Sequence, residues 1–382
     1  MKRTRLYNCN LFRLIVFVVL PLIVLISAGL HPKSYSTALL CTLGINILLA
    51  ASLNLVNGFS GMFSMGHAAF MAVGAYMSAY LTLAPERKAA MMPGLPEWIV
   101  NLQMPFLAGV IFCGLAAAVI ALLIGAPVLR FKGHYLSVAT LGLIVIVRAV
   151  LDNSGKVTNG QRGVTGLPAV STIPMIYVLL FISLFIMYRL LRSAYGRGLI
   201  AMRDDPVAAQ TLGVNLTVKK ISIFCISAFF AGIAGALWGH KQTVISGQFF
   251  YFNQSFSIVQ MSIIGGMSSL SGAVIGAAFM TYVPEWLTPL ENGGLTLFGT
   301  RLPAMFGLSN IVMAAFVVLI IIFRHKGIMG TSEVLTESWF SKDTYLSLFR
   351  KSEYQALGRA FVDWLRAVGR FFTRRSGKNA AG

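Results

Sequence analysis

Acidic residues are scarce in this chain. Asp and Glu number 12 among 382 residues, and charged residues of both signs make up 11%. A soluble domain carries about 25%. A water-soluble fold of this size is therefore excluded. Cysteine is scarce too. Cys9, Cys41, Cys113 and Cys225 lie in or beside apolar runs, with no CxxC pair. Neither a disulfide framework nor a zinc site is indicated, and small apolar fillers explain them. A GxxxxGK[ST] loop is missing, as are HExxH and GxSxG, so no signature of nucleotide binding or of those hydrolases is present. No nucleic-acid module accompanies the net charge of +19. What the chain has in quantity is apolar sequence, 57% of all residues.

The apolar residues fall into runs. A helix needs about 20 mostly apolar residues to cross a bilayer. Candidate spans lie near 11–31, 37–56, 66–84, 104–127, 134–152, 174–191, 220–240, 254–265, 271–287 and 303–323. The first follows Lys2, Arg3 and Arg5, as a signal peptide would. Its apolar run, Leu14 to Leu30, is long for that, and no clear small-x-small cleavage site follows. An uncleaved first helix is expected.

Positive charge orients the spans. With the N-terminus inside and sides alternating, the cytoplasmic segments hold Lys2, Arg3, Arg5, Arg130, Lys132, Arg189, Arg192, Arg197, Arg203, Lys219, Lys220 and the basic tail from Arg324 onward. The opposite side holds only Lys33, Arg87, Lys88, Lys156, Arg162, Lys241 and Arg301. The sequence thus predicts an all-α polytopic integral membrane protein of about ten transmembrane helices, with both termini cytoplasmic. The charge belongs to topology and tail.

Two stretches interrupt the helical pattern. The first runs from Asn54 through Asn57, Gly58, Ser60, Gly61, Ser64 and Gly66 to His67. Its glycines weaken a helix, and its Ser and Asn side chains can satisfy freed backbone groups. Irregular backbone at membrane depth is tolerated only inside protein or along a watery cavity. Composition alone fits two readings equally: a discontinuous helix beside a transport route, or a tight cytoplasmic turn followed by a small-residue packing face of Ala68, Ala72, Ala75 and Ala79. The second interruption holds Gly265 and Gly266, and continues to Gly272 and Gly276, a GxxxG that lets helices approach closely.

One substantial polar loop remains, between about 193 and 219. Arg203-Asp204-Asp205-Pro206 reads as a helix start, with Asp at the cap and Pro in the first turn. Val207 to Leu212 gives one or two turns, and Gly213 ends them. So short a helix is marginal alone, so it is expected to dock against the membrane core or a partner.

Ionisable residues within the spans are few. Arg148 and Asp152 share one span end, and Glu285 closes another. They read as packing partners or interfacial groups rather than an ion relay of the kind a secondary carrier needs. Gly58-Phe59-Ser60-Gly61 matches the GxSG of rhomboid-type intramembrane proteases, which use a Ser–His dyad. So short a pattern arises easily in Gly/Ser-rich membrane sequence. His67 reads instead as a packed, hydrogen-bonded histidine.

The run LNLVNGFSGMFSMGHAAFMAVGAY resembles the early segment of the branched-chain amino acid permeases of ATP-binding cassette (ABC) importers. GRGLIAMRDDPVAAQTLGVN is similar to that family's cytoplasmic segment. GGMSSLSGAVIGA and FRHKGIMG resemble its penultimate-helix and terminal motifs. The four occur in the family's order over about residues 35–330, and in detail they look LivM-type rather than LivH-type.

The resemblance implies a transmembrane permease subunit of the bacterial inner membrane. It would pair with a homologous LivH-type permease and two ATP-binding subunits. A periplasmic substrate-binding protein would deliver a branched-chain or other apolar amino acid; related systems carry urea and short amides. No cofactor is expected on this chain, ATP being bound by the partner, and the chain itself is not expected to be an enzyme. By the family's pattern Arg203, Asp204, Asp205, Ala208, Ala209 and Gly213 form the coupling helix to the ATPase, with both Asp residues capping it. Asn54, Asn57, Gly58, Ser60, Gly61, Ser64, Gly66, His67, Gly265 and Gly266 are the candidates for the translocation route. The permease domain is expected over 1–330. Residues 331–382 depart from the family and are expected to form a basic amphipathic extension. There Leu357, Phe361, Leu365, Val368 and Phe372 recur at helical spacing beside Arg359, Arg366 and Arg370, as suits an anionic lipid surface.

Overall fold

The computed structural model describes residues 35–131, 133–291, 296–297, 300–301, 307–323 and 327–329. All belong to one compact unit, Lys33–Ser332. The expected first helix and the basic extension lie outside the described residues.

Every other expected span coincides with a helix. We number the principal ones α1 Tyr35–Asn54, α2 His67–Thr82, α3 Pro85–Met91, α4 Phe106–Val128, α5 His134–Asn153, α6 Ile173–Arg192, α7 Ala194–Asp204, α8 Pro206–Thr211, α9 Leu216–Gln242, α10 Phe252–Gly265, α11 Leu270–Glu291 and α12 Leu308–Phe323. Five are long and apolar enough to cross a membrane: α1 with its continuation to Phe59, α4, α5, α6 and α9. Two of the others are short for a reason visible in sequence. Glycine-rich breaks start α2 late and stop α10 early, leaving 16 and 14 residues.

α1 and α9 sit at the centre. Their most apolar windows are 78% and 67% buried, against 33% and 28% for α4 and α5. α9 packs against both α2 and α4, which also pack on each other. Backbones touch there: a Cβ on Gly74 of α2 would lie 2.1 Å from Gly232 O, and one on Gly235 would lie 2.0 Å from Met71 O. Ala68, Ala72, Ala75 and Ala79 are all fully buried, so the small-residue face of α2 is real. The peripheral helices turn apolar side chains outward. Leu107, Ile111, Leu122 and Leu123 on α4, and Val138, Ile146 and Val150 on α5, are all exposed. In water such a surface would drive aggregation; in lipid it is the ordinary outer surface.

Contacts separate the two ends of the helices. At one end, residues 58–61 meet Arg203 and residues 267–268. At the other, Met104 N donates to Leu81 O, Gly94 N to Lys156 O, and Gly166 N to Thr243 O. There β1 Val164–Thr165 pairs antiparallel with β2 Val244–Ile245. A second small ladder, β3 Thr296–Leu297 with β4 Thr300–Arg301, follows α11. These contacts place the loops in two sets, one at each end of the bundle.

Candidate functional site

The four motifs, dispersed over nearly the whole described chain, converge at one end of the bundle. The first break begins as α1 loosens into a π-turn, Leu55–Phe59. The second begins where α10 stops at Gly265. Asn54 joins them: its Nδ2 donates to Gly266 O (3.2 Å) and Ser269 O (3.1 Å), and its Oδ1 accepts from Ser262 Oγ. The carbonyls of Gly266 and Ser269 thus gain a side-chain donor beside their backbone partners, Ser269 N and Ala273 N. Gly58 makes the approach possible, since a Cβ there would fall 1.2 Å from Met267 O.

The first break is no simple turn. Gly58 touches Met267, beyond the C-terminal end of α10, whereas Met65 O accepts from Ser255 Oγ near that helix's start. Those contact points are about 15 Å apart along α10. Residues 60–66 therefore run back through the bundle as non-helical chain. Their backbone is held by side chains from several elements. Asn57 Nδ2 donates to Ser64 O (3.0 Å) while Ser64 N donates to Asn57 Oδ1 (2.9 Å). Met65 N donates to Thr140 Oγ1 (3.0 Å), and Ser137 Oγ donates to Phe63 O (2.8 Å). Irregular backbone buried in protein with its groups satisfied is the permitted form at membrane depth. The helix is discontinuous here, and the small-residue face of the other reading is present as well.

The polar loop is two helices, not one. Ser193 caps α7, accepting from Gly196 N at 3.4 Å. Sequence reading missed this helix, although the Ser193 cap was there to see. α7 ends at Asp204, so Arg203 and Asp204 close one helix rather than open the next. Capping of α8 falls to Asp205 alone, whose Oδ1 accepts from Val207 N (2.9 Å) and Ala208 N (3.0 Å). Asp204 is instead an exposed partner of Arg203, Nη2 to Oδ1 at 2.9 Å. Gly213 ends α8 with φ +82°, a backbone conformation glycine adopts freely. Ala209 is buried, while Ala208 is exposed. Val207 and Leu212 are 69% and 81% exposed. α8 docks by one face and offers an apolar pair on the other. α7 is pinned to α9 by the Tyr195 hydroxyl on Ser222 Oγ (2.5 Å), with Lys219 Nζ 3.8 Å from the Tyr195 ring centre.

Arg203 connects this loop to both breaks. Its Nη1 donates to Gly58 O (3.3 Å) and to Ser268 Oγ (3.1 Å). The guanidinium thus sits at the C-terminal end of the π-turn, where positive charge is favoured. Its stem lies over Gly61, where a Cβ would be 2.7 Å from Arg203 Cγ. Gly61 has φ +71°. The terminal motif arrives as well: Ile328 N donates to Ile264 O (2.9 Å) and Met329 N to Gly265 O (3.0 Å), capping α10.

A family model described as "Branched-chain amino acid transport system / permease component" matches residues 35–322. The chain belongs to that family. It is similar to the LivM permease proteins of Salmonella typhimurium and Escherichia coli K12, each named as part of a high-affinity branched-chain amino acid transport system. Both are 29% identical over 289 residues, 67% of this chain. The match spans 64% of the length of those two relatives. The nucleoside ABC transporter permease protein NupC of Lactococcus lactis is 24% identical over 280 residues, 69% of this chain and 82% of its own. No solved structure matches. This permease component is a multi-pass membrane protein, and its family is one of transport subunits.

The protease dyad does not form. Ser60 Oγ donates to Val56 O (2.7 Å), and His67 Nε2 meets Ser52 Oγ (2.7 Å). Ser52 in turn accepts at its carbonyl from Ser227 Oγ. His67 is fully enclosed among α1, α2 and α9, as the packed-histidine reading expected. Among the described residues no group of three or more His, Cys, Asp or Glu could hold a metal.

Proposed function

We propose that this chain is the transmembrane permease subunit of an ABC importer for branched-chain or other apolar amino acids. It works in the bacterial inner membrane beside a LivH-type permease and two ATPases, and a periplasmic binding protein delivers its substrate. The family and the LivM relatives support this reading. The observation that carries the mechanism is the Arg203 tie. α8 presents Val207 and Leu212 to a cytoplasmic partner and is stiffened by its Asp205 cap. α7 carries any displacement of α8 to Arg203, which grips both helix breaks at once. A cytoplasmic ATPase pushing on α8 thereby moves the ends of α1, α10 and α11 together. In this reading the residues 54–66, 265 and 266 line or brace the route, and Arg203 to Gly213 are the coupling segment.

The test is co-purification from detergent-solubilised membranes, wild type beside Asp204→Arg/Asp205→Arg. Wild type should bring down an ATPase and a second permease, and the double variant should lose the ATPase. A wild-type chain that comes down alone and still moves solute would sink the partner-driven reading.

A further inference from the structure

At the end of the bundle away from Arg203, two buried polar atoms have no hydrogen-bond partner: the Tyr76 hydroxyl and Asp152 Oδ1. Tyr76, on α2, is 2% exposed. Tyr80, Asp152 and the backbone amide of Gly247 are the polar neighbours of its hydroxyl. Asp152, on α5, uses only its other oxygen, Oδ2 accepting from Arg148 Nε at 3.3 Å. The Arg148 guanidinium lies 4.1 Å from the centre of the Tyr251 ring. Gly247 closes the group from above; a Cβ there would stand 2.6 Å from Asp152 Oδ1. Buried polar groups are ordinarily paired, and each orphan asks for an explanation. Here two orphans share one place, one turn of helix from an arginine.

The chemistry of the set is specific. Asp152 Oδ1 can only accept, so its partner must donate. The Tyr76 oxygen is a second acceptor beside it. A primary ammonium fits both, but alone it would leave the neutral Arg148–Asp152 pair with an added charge. A ligand bearing its own carboxylate removes that excess, because Arg148 has two further nitrogens to offer. We infer that Tyr76, Arg148 and Asp152 form an outer subsite for the charged head group of a zwitterionic α-amino acid, its ammonium on Asp152 and Tyr76 and its carboxylate on Arg148. The inference rests on the amino acid reading proposed above and gives it a site. The subsite is closed here, and its cover is residues 243–251. That cover is attached through the two-residue β1–β2 ladder and the bonds from Gly166 N and Leu167 N to Thr243 O. Lifting it would open the subsite on the side where a binding protein releases its cargo.

The experiment uses the complex purified with its partner chains. Radiolabelled leucine binding is measured by scintillation proximity without the binding protein, and leucine import by the full assembly is measured in parallel. Wild type should bind leucine saturably. 4-Methylpentanoate, which lacks the ammonium, and isoamylamine, which lacks the carboxylate, should each compete at least about tenfold more weakly, the loss of one charged hydrogen bond. Tyr76→Phe, which removes only the orphan oxygen, should weaken binding by about tenfold, and Asp152→Asn should abolish it. Thermal melting of each variant reports folding, and Tyr76→Phe should melt no lower than wild type. Leucine import by wild type with Tyr76→Phe and Asp152→Asn binding unchanged overturns the subsite alone. Equal competition by the two single-ended analogues and leucine also overturns it. Failure of wild type to import any apolar amino acid overturns the substrate reading on which it stands.

Discussion

Replacing Arg203 by Ala removes the group that joins α7 and α8 to both breaks. Two charged hydrogen bonds are lost, at 3.3 Å to Gly58 O and 3.1 Å to Ser268 Oγ. Hydrogen bonds from charged groups contribute about 1.5–3 kcal/mol each. The Arg203 side chain is 27% exposed, and water competes for it, so about 1–1.5 kcal/mol each is the better figure. The tie then contributes about 2–3 kcal/mol, or roughly 30- to 150-fold in the population of the connected state. The exposed ion pair to Asp204 adds little, since surface pairs are worth about 0–1 kcal/mol. Reconstituted into liposomes with the proposed partner ATPases and second permease, the Arg203→Ala complex should hydrolyse ATP but import at least about tenfold less substrate per ATP. Arg203→Lys should recover only part of this, because an ammonium lacks the planar fork. Asp204→Ala should couple almost normally. An Arg203→Ala complex that imports as much per ATP as wild type would refute the lever.

Gly61→Ala forces a side chain onto a φ of +71° and against Arg203 Cγ. It should lower stability by about 1–2 kcal/mol from backbone strain, and it should reduce import more than Ser60→Ala does; equal import by the two would argue against close seating of Arg203. Ser60→Ala gives up one bond to Val56 O, about 0.5–1.5 kcal/mol, and should keep substantial transport. Complete loss with normal folding would return catalysis to consideration. Lys88 is fully buried, with Nζ donating to the carbonyls of Ile99 (3.1 Å) and Leu102. Burial holds its ammonium below the usual lysine range. The folded protein therefore releases that proton before the unfolded chain does. The cost of the buried charge is present in full at neutral pH and eases as pH rises toward about 10.4. The melting temperature of wild type relative to Lys88→Met should climb over that interval; a difference flat with pH would contradict the burial of a charged Lys88.

Most of the helical plan was legible because lipid demands long apolar runs. The Asp205 cap and the Gly213 stop were legible too, since both act within a few residues. The course of residues 60–66 was not. Glycine and serine announce irregular backbone, but the direction it takes is set by Ser137, Thr140 and Ser255, which lie far along the chain and look like any hydroxyls in a span. The sequence places Arg203 at the start of a short docking helix, because Asp204, Asp205 and Pro206 follow it. Its inward reach depends on the glycine at 61 and on carbonyls freed at 58, which no local pattern near 203 records. Likewise Asp152 and Arg148 were legible as partners at four-residue spacing, whereas the orphaned Tyr76 hydroxyl beside them required the packing of α2 on α5.

The cap on α10 comes from backbone amides at 328 and 329, among the last described residues of the unit. During synthesis α10 is complete long before those amides exist. The carbonyls of Ile264 and Gly265 must then wait, uncapped, while α11 and α12 are made and inserted. Closure of the second break is thus a late event in biogenesis, and the Arg203 end of the bundle is sealed by residues made after α11 and α12. Because the donors are main-chain groups, most side-chain replacements at 328 and 329 leave that seal intact, and proline alone deletes it.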